Sequence, residues 1–174
     1  MTPPVRPARA ADRPALRRLQ AHLPEPAPRL LAAGLAAGGV LVADAGRPVG
    51  YLLAVGVAFD RHTPVPRPSD PPPEAVGRPD APDPPVPPEA SDAGRTRARG
   101  AHLAELVVAP AFRREGRATA LLDRLLAVAD GPVTVAVRAD NDPALALYRS
   151  RGFERVGRRE GYFASGPALW LVRA

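Results

Sequence analysis

The sequence predicts an α/β (mixed α+β) fold: one mixed sheet with helices on both faces. Three observations carry this expectation. Strand-like and helical stretches alternate in the order β-α-α-β-β and then, after an interruption, β-α-β-α-β-β. At Ala101 to Leu126 a buried strand runs through a sharp turn into an amphipathic helix. The apolar share, 45% of 174 residues, is enough for the core of one domain.

Val5-Arg6-Pro7-Ala8 reads as a short first strand. Asp12 is the expected N-cap of the helix that follows, with Pro14 in its first turn and Leu16, Leu19 and Leu23 as its buried stripe. That helix should stop near Pro24, and a second should cover Arg29 to Ala37. Gly38-Gly39 turns the chain into the strand Val40 to Ala43. Asp44 to Pro48 form a hairpin turn, and Val49 to Phe59 return, with Gly56 marking a bulge. Residues 60–100 then change character. They hold 12 of the 24 prolines and few large apolar groups, so they bury too little to offset their ordering entropy. The expected organisation is therefore a single domain over 1–174, interrupted by a proline-rich, disordered or extended insertion at 60–100.

The strand His102 to Val108 follows and ends before Pro110, which has no N–H for a ladder. Arg113-Arg114-Glu115-Gly116-Arg117-Ala118-Thr119 form the turn, and Ala118, Leu121, Leu122, Leu125 and Leu126 recur at helical spacing. Such a turn aims unpaired N–H groups and the positive end of a helix dipole at one point, which suits a phosphate. Gly116 admits close approach of an anion, and Arg113, Arg114 and Arg117 add charge. The same pattern also fits a plain strand–loop–helix unit whose arginines face water. After Gly131-Pro132, Val133 to Val137 is the next strand. Asp140-Asn141-Asp142-Pro143 starts a helix over Ala144 to Arg151, closed by Gly152. Phe153 to Arg158 and Ala168 to Val172 read as the last two strands.

Composition excludes several classes. There is no cysteine, hence no disulfide or thiolate chemistry, and His22, His62 and His102 are too far apart for a metal-ligand spacing. The N-terminus has no apolar leader, and Leu30 to Ala43 is too short to span a bilayer, so a cytoplasmic protein with no membrane partner is expected. All 24 basic residues are Arg and the net charge is +6, yet no basic stripe is interleaved with aromatics. Nucleic acid is therefore not an expected partner.

Three motifs together resemble the GNAT family of N-acetyltransferases. The first is Leu106-Val107-Val108-Ala109-Pro110 with Arg113-Arg114-Glu115-Gly116-Arg117-Ala118, similar to that family's acetyl-coenzyme A signature. The second is Asn141, Ala144, Leu147 and Tyr148 with Arg151-Gly152-Phe153. The third, at the N-terminus, is Val5-Arg6-Pro7-Ala8 with Asp12, Leu16 and Leu19. The tail Arg158 to Phe163 further resembles the RimI-like branch, which acetylates N-terminal amines of proteins. The resemblance implies a GNAT-like, mostly antiparallel sheet and acetyl transfer from acetyl-coenzyme A, as co-substrate and without a metal, to a primary amine. The acceptor is a small molecule or a protein or peptide, and the enzyme a monomer or homodimer.

It also implies roles. Residues 113–119 bind the pyrophosphate, and the edge at Leu106, Val107 and Val108 pairs with the pantetheine arm in a slot where the strand at 133–137 splays away. A backbone N–H near Leu106 polarises the thioester carbonyl. Asn141 bonds the arm, caps its helix, or does both. Tyr148 protonates the leaving thiolate, unless it packs with its hydroxyl exposed. The base is His102, Glu105 or a water; the glutamate the RimI-like branch carries near Ala136 is missing. Strand alternation sets His102 and Glu105 on opposite faces unless a bulge intervenes. Trp170 and Phe163 read as packing residues, although Tyr162 and Phe163 could rim the acceptor site. The competing readings are a catalytically degenerate acyl-coenzyme A sensor and a charge-driven nucleic-acid module.

The proline-rich insertion generates a direct test. Joining Asp60 to Gly100 by a short Gly/Ser linker should leave a chain that folds and retains coenzyme A binding. Thermal unfolding and calorimetry of the shortened chain measure both, and loss of either makes the insertion structural.

Overall fold

The computed structural model of this chain describes residues 3–57, 59 and 100–174. The insertion expected at 60–100 lies, apart from Gly100, outside the described residues. The strands are β1 (Val5–Pro7), β2 (Val40–Asp44), β3 (Pro48–Val55), β4 (Ala101–Val108), β5 (Val133–Arg138), β6 (Glu154–Phe163) and β7 (Gly166–Arg173). The helices are α1 (Arg13–Gln20), α2 (Pro28–Ala36), α3 (Arg117–Val128) and α4 (Asp142–Ser150). The strands form one sheet in the order β1-β2-β3-β4-β5-β7-β6, antiparallel everywhere except β4 against β5.

Period-two alternation divides the strands between two cores. Leu41, Leu52, Leu103, Val135, Val137 and Leu171 face one side, where Leu121, Leu122 and Leu125 of α3 and Leu145 and Tyr148 of α4 cover them. Val40, Val42, Tyr51, Leu53 and Val107 face the other, beneath Leu16 and Leu19 of α1 and Leu31 of α2. Each fully buried leucine contributes about 1.5–3 kcal/mol. Gly34 lets α2 lie close on the sheet, since a Cβ there would come within 2.2 Å of Leu53 Cδ1. The outer strand β6 is broken by two irregularities, between Arg155 and Gly157 and between Arg159 and Phe163, which blunts an edge that would otherwise template pairing.

Two local expectations are corrected. Asp12 precedes α1 without capping it: its carboxylate turns back to Arg6 at 2.7 and 3.0 Å and accepts the Arg9 N–H at 2.7 Å. The competing cation wins because a bond between two charges is stronger than one to a helix N–H. Gly56 ends β3 at φ +88° with Gly100 O where its Cβ would be, and the bulge lies instead where the Leu53–Glu105 and Ala54–Leu103 pairs flank Ala104.

Arg6 also bonds Asp44 at 2.6 Å, tying β1, the start of α1 and β2. The Arg6 guanidinium holds the Asp12 carboxyl below its usual 3.8. A carboxyl depressed in the folded state stabilises above its unfolded pKa and ceases to as pH falls through the folded one. Asp12→Asn should therefore lose about 1.5–3 kcal/mol at pH 7. Urea titrations should show the gap from the parent closing only below about pH 4.

Candidate active site

The site begins with a failure of pairing. β5 follows β4 only at Ala101–Val133, His102–Thr134 and Leu103–Val135. Beyond that, β4 stays on β3 to Val108 and β5 stays on β7 to Arg138, so the two strands diverge. The edge of β4 from Ala104 to Val108 is left without a strand partner on the β5 side among the described residues. Leu106, Val107 and Val108 lie along this edge, with the Val107 side chain buried in the α1–α2 core. The cleft opens toward the turn that follows β4.

That turn holds two left-handed residues, Arg114 at φ +62° and Gly116 at φ +74°. Left-handed residues in a short turn bring successive N–H groups onto a concave side, which suits anions. Gly116 caps α3 with no side chain, so the N–H groups of Arg117, Ala118 and Thr119 point free into the turn, while Ala120 N bonds back to Gly116 O. A Cβ on Gly116 would meet no protein atom within 4 Å, so any side chain there projects into the open space of the turn. The arginines are less free than the sequence suggests. Arg113 Nε donates to Val108 O at 3.0 Å, and Arg117 pairs with Glu115 at 2.9 Å and lies over the Phe112 ring. Arg114 is exposed and makes no hydrogen bond or ion pair among the described residues.

Tyr148 lies on the α3–α4 side, its ring 5.4 Å from that of Phe153. It is 4% exposed, and burial pushes its hydroxyl well above 10. The phenol therefore stays protonated through the neutral range and is a donor rather than a nucleophile. Asn141 caps α4, its Oδ1 accepting from Ala144 N at 3.2 Å.

The bulge at Ala104 sets the candidate bases on one face. Glu105 pairs with Leu53 and His102 with Val55, both on the α1–α2 side, which overturns the opposite-face expectation because the extra residue resets the alternation. Their environments differ. Glu105 is 6% exposed and accepts from Gln20 Nε2 at 3.0 and 3.1 Å, Ala27 N at 3.0 Å and the Tyr51 hydroxyl at 2.7 Å. Three donor groups occupy both of its oxygens. His102 Nδ1 lies 2.9 Å from Thr134 Oγ1, which is 3.5 Å from Ala101 O. With the threonine hydroxyl donating to that carbonyl, Nδ1 carries the proton and Nε2 keeps its lone pair. Burial lowers the imidazole pKa, so the ring is neutral at pH 7.

Around His102 the same face carries aromatic rings. Trp170 lies 5.6 Å away by centroids, and Tyr162 packs edge-on against Trp170 at 5.7 Å and against Phe163 at 4.9 Å. The indole Nε1 is buried with no hydrogen-bond partner. Sequence reasoning missed Glu25. It lies between α1 and α2 and is close enough to act electrostatically on Arg138 at the end of β5 and on Tyr162. Its Oε1 is buried without a hydrogen-bond partner among the described residues. A carboxylate thus faces this side although β5 carries only Ala136; its one signal in the sequence is a single acid held between Pro24 and Pro26. A cavity of about 310 Å³ beside Leu126, Pro132, Val133 and Arg173 lies at the other end of β5, away from the cleft.

Comparisons with known proteins fit this geometry. The family described as "Acetyltransferase (GNAT) family" matches residues 9–153. The chain is 44% identical over 82 residues to the N-alpha-acetyltransferase RimI of Mycobacterium tuberculosis, covering 46% of this chain and 52% of that protein. It is 32% identical over 79 residues to the N-alpha-acetyltransferase of Saccharolobus solfataricus, 42% of this chain and 47% of that one. The matches thus span about half the length of these curated relatives. The fold superposes on Arabidopsis thaliana NAA60 in complex with acetyl-CoA with a TM-score of 0.69 at 18% identity, over 99% of both chains.

The free N–H groups of the turn generate a prediction. Gly116→Glu places a carboxylate in the open space they face, and acetyl-coenzyme A binding should fall below detection by calorimetry. Unchanged affinity would move the pyrophosphate site elsewhere.

Proposed function

The chain belongs to the acetyltransferase (GNAT) family, and from that premise we propose that it moves an acetyl group from acetyl-coenzyme A to the α-amine of a peptide or protein N-terminus. The observation that carries the reading is the divergence of β4 from β5, which leaves a strand edge ending in a turn of unpartnered N–H groups. An amide-bearing arm adds to such an edge as a strand would. The pyrophosphate then meets residues 113–119. The two N-alpha-acetyltransferase relatives support the α-amine as acceptor.

The two faces divide the labour. Coenzyme A lies on the side of α3 and α4, where the turn and Tyr148 are. The amine arrives on the side of α1 and α2. There Glu25 offers an unshared carboxylate oxygen to an ammonium group, and Trp170 an unshared N–H to a carbonyl. The ammonium loses a proton to His102 Nε2, directly or through water. The neutral nitrogen attacks the thioester carbonyl, whose oxygen is held by a backbone N–H near Leu106. The tetrahedral intermediate expels the thiolate, which takes the Tyr148 proton. The attacking nitrogen loses its second proton as the amide forms, which restores Tyr148, so the products are the N-acetyl peptide, free coenzyme A and one proton, which His102 passes to water. Glu105 takes no proton in this scheme.

Thiol release tests the reading, measured with acetyl-coenzyme A and a panel of peptides with free or blocked N-termini, lysine peptides and small amines. Free α-amines should be preferred, and no release with any amine would favour the degenerate coenzyme A-binding alternative. Tyr148→Phe keeps the ring that packs on Phe153 and removes the proton. Its kcat and kcat/KM should fall together by about 10²–10⁴-fold, with acetyl-coenzyme A affinity unchanged. Wild-type turnover with chemistry rate-limiting would assign the proton to water instead.

A further inference from the structure

We propose that Glu105 is a positioning residue of the acceptor site: its carboxylate clamps the α1–α2 loop onto β4 and so fixes where Glu25 stands at the cleft. The inference rests on reading that face as the acceptor side. The loop runs Pro24-Glu25-Pro26-Ala27-Pro28. Three of its five residues lack an N–H, so it cannot be held by a backbone ladder. The N–H of Ala27 donates to Glu105 Oε1 at 3.0 Å, and no other hydrogen bond ties residues 23–27 to the sheet among the described residues. Gln20, the last residue of α1, reaches the same carboxylate with its amide, and Tyr51 reaches it from β3. One side chain thus gathers the end of a helix, a proline-stiffened loop and two strands.

The chemistry of the clamp requires a carboxylate. Glu105 forms no ion pair among the described residues, so its buried charge is compensated by dipoles alone. Both oxygens accept, and every partner is a donor. A glutamine of the same shape would turn an amide N–H toward at least one donor and leave it unpaired. Because the prolines limit how the loop can bend, releasing Ala27 displaces Glu25, two residues upstream, from Tyr162 and Arg138. The ammonium contact loosens, while the phosphate turn across the sheet stays as it was.

The test combines hydrogen exchange on the full chain with initial-rate kinetics, using tetra-alanine amide as the acceptor. In Glu105→Gln the Ala27 amide should exchange about tenfold faster or more, with the α3 amides of Leu121 and Leu122 unchanged. Coenzyme A affinity should stay within about twofold, and the KM for the peptide should rise about tenfold with a smaller change in kcat. Unchanged Ala27 exchange overturns the proposal. So does a fall in kcat at unchanged peptide KM with loss of the basic-group limb of the pH profile, which would make Glu105 the base. Should Glu105→Gln not fold, Tyr51→Phe and Gln20→Met each remove a donor and keep the carboxylate. Both should speed Ala27 exchange by a smaller factor, and no change in either overturns the clamp. If the parent chain acetylates no amine, the functional reading fails while the exchange result still decides the clamp.

Discussion

The structure depends on one constraint: β4 and β5 run parallel for three residue pairs and then part. Each strand keeps its other neighbour to the end, so the divergence costs no core. β3 holds β4 as far as Val108, and β7 holds β5 as far as Arg138. Elsewhere a sheet with unpaired backbone in its middle would be destabilised, since buried N–H and C=O groups require partners. Here the missing partner is the opening through which an extended amide chain can complete the ladder.

The two faces of that opening are built with different chemistry. On the α3 side, the donors are backbone N–H groups, and the arginines around them are largely committed: Arg113 to Val108 O and Arg117 to Glu115. The anion site proposed here would thus be a property of main-chain geometry, of Arg114 and Gly116 in left-handed conformations, more than of arginine number. On the α1 side Glu25 and Glu105 bring carboxylates, with Arg138 at the end of β5 and Arg159 over the Tyr162 ring beside them. Glu25 Oε1 is buried without a hydrogen-bond partner among the described residues, and Glu105 lies buried beneath the loop that carries Glu25.

Burial sets the protonation states that such a site needs. His102 is held neutral and Tyr148 is held protonated, in both cases because the charged form loses water. Neither shift requires a charged partner. Glu105 shows the other solution to a buried ionisable group, in which four hydrogen bonds from three donor groups replace the hydration shell.

Local sequence determined most of the elements. Apolar periodicity placed all seven strands and four helices, with bounds moved by one to five residues; β6, expected to end at Arg158, runs to Phe163 because its pairing with β7 carries it on through two irregularities. Proline and glycine determined the turn between β4 and α3 and the end of α4, since φ restriction and φ freedom are properties of single residues. Tertiary structure alone decided what depends on two distant segments meeting. Asp12 left its helix for Arg6 because a cation six residues back outcompetes a backbone N–H. His102 and Glu105 came to one face because β4 carries one residue more than β3 opposite Ala104, a mismatch visible only once the strands are paired. Glu105 became an anchor rather than a free carboxylate because Gln20, Ala27 and Tyr51 converge on it from separations of 85, 78 and 54 residues. Glu25 acts electrostatically on Arg138 of β5 and Tyr162 of β6, an approach that no periodicity within its loop records.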